Sequence, residues 1–347
     1  MQKTGNGETA IKGTVTEMEI EVTVIIPFFQ SEARIDRCLN SIMAQDFQPM
    51  EILFVDDGST DGTAEHIRRA AASDSRIRYL SKTHGGQGAA RNCGIEQARG
   101  RYLFFMDSDD EIDPQTVSAL WESAQQTDAD VVIMGFWENR ADGRICRMMP
   151  RFFGSREQFM TQLLKECYQQ YLLNAPWNKL IRRELLAQSG IRFEEDMCVY
   201  EDLLFSLQVL CQADTIAGLE KAYYSYHYMQ EGSVLSQYHP ETDRDLLQMA
   251  AFLEKILAQY PLDRGYFYGM IVKQMMTFSS RMWKNADLHW LQKVFKQCRI
   301  MTEGRMGFYL WRSRATEPKL RRQLCQSRLL YWPMRLTAAL TGRWCRC

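Results

Sequence analysis

The sequence predicts an α/β protein in which a mostly parallel, Rossmann-like sheet carries helices on both faces and is followed by a helical extension. Apolar strand-like runs alternate with helix-like segments between residues 21 and 134, the order that βαβ units produce. Clusters of polar residues follow several of the predicted strands directly, where α/β sheets bind ligands. Beyond residue 239 only the helical spacing of apolar residues continues, which indicates the extension.

The composition limits the class of protein. The chain has 347 residues, of which 46% are hydrophobic and 24% are charged, and these values exclude wholesale disorder, collagen and a disulfide-stapled miniprotein. The length favours a catalytic domain with an appendage. No uncharged apolar run approaches the ~18 residues that span a bilayer. Residues 1–20 lack an apolar signal segment and are expected to be a flexible leader. Ten cysteines without paired CxxC spacing favour reduced thiols in a cytoplasmic protein.

Two kinds of spacing define the elements in order. Apolar, often β-branched runs predict strands at 22–26, 52–55, 77–80, 102–106 and 131–134. Apolar residues three and four apart predict helices at 31–45, 63–72, 88–98 and 114–126, the last with Pro114 in its first turn. Residues 141–144 have the composition of a hairpin turn. Helical spacing then covers 159–173, 182–188, 203–211, 246–257 and 271–278. These elements predict one domain over 21–235 and a helical C-terminal region over 236–347.

The C-terminal region is basic. Between residues 296 and 347 there are twelve Lys or Arg residues and two Glu residues, a net charge of +10 in a chain whose total is −1. Trp311, Tyr331, Trp332 and Trp344 are interleaved with these cations, which favours peripheral contact with an anionic membrane. Nucleic acid and a solvated basic helix face are the alternatives. Because no nucleic-acid motif accompanies the charge, no nucleic-acid partner is expected.

Three carboxylates follow the strand predicted at 102–106, namely Asp107, Asp109 and Asp110. Adjacent carboxylates repel one another unless a cation or strong donors are present. Hard oxygen ligands of this kind suit Mg²⁺ or Mn²⁺, which also takes substrate phosphates as ligands. The alternative is an acidic turn that caps the helix beginning near Pro114.

Two more clusters lie at neighbouring strand ends. Asp56 and Asp57 precede Gly58, and such carboxylates accept hydrogen bonds from a base or a ribose, although a simple turn explains them equally. The segment 84–92 contains three glycines and Arg91, a side chain suited to a diphosphate or a base. It matches neither the Walker pattern nor the dinucleotide fingerprint, and alone it would be an ordinary glycine-rich loop.

Taken together, these segments resemble a known family. EVTVIIPFFQ, EILFVDDGSTDGT and GGQGAARNCGIEQARGRYLFFMDSDDEIDP are similar to the inverting family 2 glycosyltransferases of the GT-A fold, of the type that makes bacterial polysaccharides. The resemblance covers residues 21–228 and implies a nucleotide-binding half at 21–135 and an acceptor half at 136–235. It implies nucleotide-sugar contacts from Pro27, Phe29, Asp56, Asp57, Gly86, Arg91, Asp107 and Ser108. It also implies a metal held by Asp109 and Asp107, with His227 as a further ligand. Gln30 departs from the Asn common in the family.

The acceptor half supplies the expected catalytic residues. The segment VYEDLLF resembles the family's ED segment, in which Asp202 is the catalytic base and Glu201 its neighbour. Asp202 is expected to stay ionised at a helix N-terminus. Two alternatives remain: these residues only cap the helix, or Glu195 and Asp196 form the working pair. Trp177 and Lys179 resemble acceptor-binding residues, which would stack on a sugar and meet a phosphate, although a buried Trp is as common an explanation.

The expected function is therefore a Mn²⁺- or Mg²⁺-dependent inverting glycosyltransferase. The family resemblance implies a nucleotide-sugar donor of the UDP-sugar class and a saccharide or lipid-linked saccharide acceptor in cell-surface polysaccharide synthesis. Two rival functions stay open: a non-catalytic member of a membrane assembly that binds nucleotide-sugar or glycan, and a sugar-1-phosphate nucleotidyltransferase. The nucleotidyltransferase would need a basic glycine-rich loop after the first strand, where the sequence has Pro27-Phe28-Phe29-Gln30.

Overall fold

A computed structural model describes residues 19–228 and 241–284 of the chain. The strands are β1 Val22–Phe28, β2 Met50–Asp56, β3 Ile77–Ser81, β4 Tyr102–Phe105, β5 Glu111–Ile112, β6 Val131–Arg140, β7 Gly143–Arg147, β8 Phe152–Ser155, β9 Lys179–Arg182 and β10 Thr215–His227. The helices are α1 Ile35–Met43, α2 Thr63–Ser73, α3 Gln87–Gln97, α4 Thr116–Thr127, α5 Arg156–Gln162, α6 Leu164–Gln169, α7 Arg183–Ser189, α8 Glu201–Gln212, α9 Thr242–Gln259 and α10 Arg264–Lys284. The strands form one sheet in the order β3-β2-β1-β4-β9-β6-β10-β5, with β7 paired to β6 and β8 to β10.

The first half of the sheet has the predicted parallel arrangement. Strands β3, β2, β1 and β4 run parallel, and the residues of β1 and β2 are buried throughout. Such strands, covered on both faces, read as continuous apolar runs, which is why their sequences identified them. Because parallel strands end at the same edge, the polar segments after β1, β2 and β4 come together there. The predicted α/β fold with a helical extension is confirmed.

The second half of the sheet was only partly predicted. Strand β9 runs antiparallel to both β4 and β6, and β10 runs parallel to β6 with two register irregularities. The strand predicted at 131–134 continues to Arg140 and forms a hairpin with β7, so the predicted turn at 141–144 is confirmed. The helix predicted at 159–173 is wrong as one element, because the chain forms two short helices, α5 and α6, with a capping box at Ser155.

The C-terminal extension is helical where the structure describes it. Helix α9 packs against α8 and α10, and its apolar face is buried. The predicted domain boundary at 235/236, residues 1–18 of the predicted leader and the basic residues 285–347 lie outside the described residues. Among the helices of the described ranges, none combines the length and the apolar character needed to cross a membrane.

Candidate active site

One buried arginine joins two loops at the carboxyl edge of the sheet. Arg91, near the start of α3, is completely buried. Its Nη2 donates to Asp107 Oδ1 at 2.9 Å and its Nη1 donates to Asp202 Oδ1 at 2.6 Å. Its Nε has no hydrogen-bond partner among the described residues. A single guanidinium therefore holds together the acidic loop after β4 and the N-terminus of α8.

The charge of Arg91 is stabilised within the site. Burial disfavours the charged form, but the carboxylates of Asp202 and Asp107 outweigh this cost and raise the pKa of Arg91. The guanidinium carbon also lies 5.1 Å from the ring centre of Phe193. The predicted contact of Arg91 with the nucleotide is not what the structure shows, because the side chain is enclosed and both terminal nitrogens bind carboxylates. Arg91 supports the site and does not line its surface.

Asp57 organises the glycine-rich loop before α3. Its Oδ1 accepts hydrogen bonds from Lys82 Nζ at 2.8 Å and from the Gly85 backbone N–H at 2.9 Å, and its Oδ2 accepts from the Gly86 N–H at 2.8 Å. Gly86 has a φ of 90°, a conformation that glycine adopts without cost, and it precedes the first residue of α3. Because both of its oxygens have partners, Asp57 shapes this loop, a role that differs from the predicted contact with the nucleotide.

Asp56 and Pro27 lie side by side at the edge of the sheet. Pro27 is in β1, and its neighbour Phe28 is in register with Asp56 at the end of β2. Asp56 is buried, and it accepts hydrogen bonds from the Ser59 N–H at 2.8 Å and from the Tyr79 hydroxyl at 2.7 Å. These bonds fix the turn after β2, as the simple-turn alternative raised by the sequence requires.

Phe29 provides an exposed ring beside these loops. Its side chain is 44% exposed and stacks on His84 with the ring centres 4.4 Å apart. The next residue, Gln30, has a φ of 49°, and its backbone N–H and side-chain amide donate to Ser59 Oγ and Thr60 Oγ1. Asn adopts this left-handed conformation more readily than most residues, which gives a backbone reason for the Asn that is common in the family at this position.

The acidic loop after β4 presents its carboxylates unequally. Asp109 is 37% exposed, and its nearest cation is Arg34 Nη1 at 4.0 Å. Burial and then the charge of Asp107 raise the pKa of Asp109. Ser108 Oγ lies 3.2 Å from Ser31 Oγ, which ties this loop to the segment after β1. Asp109 thus faces outward from the loop, and Asp107 faces Arg91.

Asp110 and His227 form a structural contact beside this loop. Asp110 is fully buried and accepts hydrogen bonds from the Tyr224 hydroxyl and the His227 backbone N–H, each at 2.8 Å. The Nε2 atom of His227 lies 3.0 Å from Glu111 Oε1, so this nitrogen is engaged by the residue that follows Asp110. The described contacts of His227 support the acidic segment, and its role as a metal ligand stays a prediction.

The outward carboxylates nevertheless suit a divalent cation. Within residues 19–228 and 241–284, no three His, Cys, Asp or Glu side chains are arranged to hold a metal ion. Mg²⁺ commonly binds proteins through one or two carboxylates and takes its remaining ligands from water and substrate phosphates. Asp107 and Asp109 are carboxylates that would suit such a site, and a bound cation would favour the charged form of Asp109, whose pKa is raised by burial and then by the charge of Asp107.

Asp202 is the second residue of α8. The helix begins directly after Tyr200, which has a φ of 69°. The helix N-terminus was predicted to keep Asp202 ionised, but the pKa of this carboxylate is raised. Burial, opposed by Arg91 but reinforced by Glu201, raises the pKa of Asp202 to about 7. Burial also raises the pKa of Glu201. A carboxylate that titrates near neutral pH is well suited to take up and release a proton.

The structure corrects the predicted acceptor residues. The ring of Trp177 is buried, stacks on Tyr224 with centres 4.3 Å apart and meets the edge of Phe136, so it is not free to stack on a sugar. Lys179 is also fully buried, and its Nζ donates to the carbonyls of Leu172 and Ala175. Burial lowers the pKa of Lys179 to about 7. Both residues support the core beside the site and do not contact an acceptor.

Comparison with known proteins assigns the family. The model of Glycosyl transferase family 2 matches residues 23–190. This segment of the chain is a domain of that family. The uncharacterized glycosyltransferase EpsJ of Bacillus subtilis is 32% identical over 228 residues, which are 65% of this chain and 66% of EpsJ. The chain therefore spans slightly less than two thirds of the length of EpsJ.

Two solved structures share the fold. One is Staphylococcus aureus TarS, residues 1–349, in complex with UDP-GlcNAc, with a TM-score of 0.66 at 22% identity. The alignment covers 94% of this chain and 93% of the TarS chain. A mannosyltransferase from Pyrobaculum calidifontis in complex with GDP-Man and Mn²⁺ has a TM-score of 0.51 at 17% identity, covering 93% of this chain and 87% of that one. At these identities the similarity establishes the GT-A fold of this family 2 protein.

Sequence reasoning missed several residues that hold the family 2 site together. Tyr224 bonds to both Asp110 and the Asp107 backbone N–H, and Asn92 bonds to Phe193 and Glu195 across the site. Asp245, at the start of α9, is fully buried and accepts from the Cys198 N–H at 2.8 Å. Asn92 lies in the glycine-rich segment 84–92 but received no predicted role, and Tyr224 and Asp245 belong to no contiguous motif, so only their long-range partners reveal these roles.

Asp245 links the C-terminal extension to Asp202. Its Oδ2 accepts from the backbone N–H groups of Cys198 and Val199, immediately before α8. We expect Asp245→Ala to lower kcat for sugar transfer by about 10- to 100-fold with little change in donor KM, because the loop that sets the position of Asp202 loses its acceptor. Steady-state kinetics below the unfolding temperature of the variant would measure this effect.

Two further variants control this experiment. Asp245→Asn retains an acceptor oxygen and should recover part of the rate, whereas Asp263→Asn, in the surface pair with Lys165, should leave kcat unchanged. Equal kinetics for Asp245→Ala and Asp263→Asn would show that α9 does not position the site.

Proposed function

We propose that this protein is an inverting glycosyltransferase that moves a sugar from a UDP-sugar to a hydroxyl group of a saccharide or lipid-linked saccharide in cell-surface polysaccharide synthesis. The observation that carries the proposal is the bridge from Arg91 to Asp107 and Asp202. It joins a carboxylate on the predicted donor side to a candidate base on the acceptor side. A sheet edge built only for stability has no need to hold two carboxylates on one buried cation, an arrangement that costs desolvation.

Asp202 is the proposed general base. Its Oδ1 is fixed by Arg91, while its Oδ2 has no hydrogen-bond partner among the described residues and is available to an acceptor hydroxyl. As that hydroxyl oxygen attacks the anomeric carbon, Oδ2 takes its proton, a glycosidic C–O bond forms, and the bond to the diphosphate oxygen breaks on the opposite face. The configuration at the anomeric carbon inverts, and the nucleoside diphosphate leaves with the electron pair.

Asp107 and Asp109 are the proposed ligands of Mn²⁺ or Mg²⁺. When bound, the ion would neutralise charge on the leaving diphosphate. Support for a metal comes from the outward carboxylates and from the fold shared with the mannosyltransferase that was solved with Mn²⁺. Support for uridine comes from the complex of TarS with UDP-GlcNAc. Phe29 and the backbone around Gly86 border the surface where the donor is proposed to lie.

The proposed location is the cytoplasmic face of the membrane. The basic residues between 296 and 347, which lie outside the described residues, support contact with an anionic membrane through their composition alone. Such contact would bring the site to a lipid-linked acceptor.

Mn²⁺-dependent release of UDP from UDP-sugars, measured with and without acceptor, tests the function. We expect Asp109→Asn to lower this release by at least about 100-fold at saturating donor, because the proposed metal loses a charged ligand. Thermal unfolding should remain close to that of the wild type, since Asp109 is partly exposed and its ion pair with Arg34 is long, at 4.0 Å.

The control is Asp128→Asn, a carboxylate that is exposed and pairs with Arg182 far from this loop. Donor binding without turnover by the wild-type protein would favour the rival non-catalytic function. Unchanged UDP release in Asp109→Asn, or release that does not respond to removal of divalent ions, would eliminate the metal from the proposal.

A further inference from the structure

A row of aromatic rings leads from the acidic loop to the protein surface. At its inner end the Tyr224 hydroxyl bonds to Asp110 and to the Asp107 backbone. Trp177 stacks on Tyr224 and, with ring centres 5.4 Å apart, on Tyr226. Tyr226 in turn meets the edge of the Tyr228 ring at 6.4 Å. Exposure increases along the row, from the fully buried Tyr224 to Tyr228, which is 37% exposed.

Two arginines lie beside the outer end of this row. The buried carboxylate of Glu138 accepts from Arg140 Nε at 2.7 Å on one oxygen and from Arg147 Nη2 at 3.0 Å on the other. The guanidinium of Arg140 lies 5.5 Å from the ring centre of Tyr228, and that of Arg147 lies 5.0 Å from the ring centre of Tyr171. The carboxylate of Glu138 thus pairs with both arginines.

The arginines keep hydrogen-bonding capacity that the protein does not use. The Nη1 atoms of Arg140 and Arg147 have no hydrogen-bond partner within the described part of the chain. Guanidinium groups bind phosphate and carboxylate through paired N–H donors. The cluster therefore offers cationic donors beside exposed aromatic faces.

Tyr171 adds an independent feature. It is half exposed although it is aromatic, and its φ of 61° is a left-handed conformation that is unfavourable for a bulky side chain. This conformation ends helix α6, since the Leu172 N–H donates to the Cys167 carbonyl and the Tyr171 N–H donates to the Tyr168 carbonyl, as in a left-handed helix cap. Here the conformation places the ring beneath Arg147.

We propose that Tyr226, Tyr228, Arg140, Arg147 and Tyr171 form the acceptor platform and that the acceptor is an anionic saccharide. This inference rests on the proposed function and names the substrate class of the same site. The apolar C–H faces of sugar rings would lie on the tyrosines, and phosphate or carboxylate groups would bind the free Nη1 donors. Tyr226 stacks on Trp177, which stacks on the Tyr224 ring that bonds to the loop of Asp107, so the platform begins beside the loop that Arg91 joins to Asp202.

Electrostatic coupling supports this continuity. Burial and then the carboxylates of Asp110, Asp107 and Asp109 raise the pKa of Tyr226. Its hydroxyl is therefore close enough to interact electrostatically with the acidic loop. A platform of this kind replaces Trp177 and Lys179, whose burial removes them from the acceptor surface.

Binding to the full chain in the presence of UDP and Mn²⁺ tests the platform without requiring turnover. The probes are hexagalacturonate, a polyol-phosphate hexamer and neutral maltohexaose, and isothermal calorimetry at low salt gives each Kd. We expect at least one anionic probe to bind about tenfold more tightly than maltohexaose, and the comparison of the two anions distinguishes carboxylate from phosphate recognition. Arg140→Gln should remove this preference, and Tyr228→Ala should weaken all probes by about threefold or more.

Matched surface variants complete the test. Arg69→Gln on α2 and Phe153→Ala on β8 change an exposed arginine and an exposed ring elsewhere, and both should bind the probes as the wild type does. Equal affinity of the wild type for charged and neutral probes, absence of binding by all three, or equal effects of Arg69→Gln and Arg140→Gln would overturn the inference. Hydrolysis of UDP-sugar without acceptor reports separately on the proposed function: anion-selective binding without hydrolysis would leave the platform standing while that function fails.

Discussion

Replacing Asp202 with Asn should lower the rate of sugar transfer by about 10²–10⁴-fold, the contribution expected from a general base. The amide keeps an oxygen for Arg91 Nη1 but has no lone pair basic enough to accept the acceptor proton. Donor affinity should change little, because the hydrogen bond from Arg91 Nη2 to Asp107 is retained. Rates of UDP release with saturating donor and a fixed acceptor would measure the loss.

The other acidic pair of this region supplies the control. Asp196→Asn alters an exposed residue six positions earlier, the alternative that the sequence left open, and should retain wild-type activity. The wild-type rate should also rise with pH through about 7, since the base must be deprotonated to act and burial raises the pKa of Asp202 to that value. Equal losses in Asp196→Asn and Asp202→Asn, or a rate that falls as pH rises through neutrality, would contradict the assignment.

The donor half of the fold was predictable because its information is local. Strands β1, β2 and β4 are apolar runs buried on both faces, and the residues that end them are polar. The order of the strands and of the polar segments that follow them therefore predicted which carboxylates meet at the sheet edge. The predicted nucleotide contacts were less secure, because Asp56 and Asp57 use their oxygens to bind their own loops. Spacing places a carboxylate but does not show which partner it takes.

The acceptor half was less predictable because its contacts are distant in sequence. Strand β9 is only four residues long and antiparallel, and β10 contains two register irregularities. Neither strand therefore shows a regular alternation of apolar and polar residues. Lys179 follows an Asn, so the local sequence indicates a polar loop residue. In the structure its ammonium is inside the core and donates to the carbonyls of Leu172 and Ala175. The acceptor side of the site depends on these tertiary pairings, which a single sequence does not reveal.

Replacing Arg91 with Met should have the largest effect on stability, a loss of about 3–5 kcal/mol, together with loss of transfer. Met fills a similar apolar volume, but Asp107 and Asp202 would lose their shared cation beneath the site. Chemical denaturation and thermal unfolding would measure the loss. Arg91→Lys should recover only part of it, because a single ammonium does not reproduce the fork that reaches both carboxylates.

A double variant separates the two consequences of losing Arg91. In Arg91→Met/Asp202→Asn the second carboxylate is neutral, so the free energy of unfolding should recover relative to Arg91→Met alone, while transfer stays absent for want of a base. Arg69→Met, which breaks the exposed pair with Glu65, should cost at most about 1 kcal/mol. If Arg91→Met were no less stable than Arg69→Met, the guanidinium would not hold the two carboxylates together, and Asp202 would have to reach the acceptor without that support.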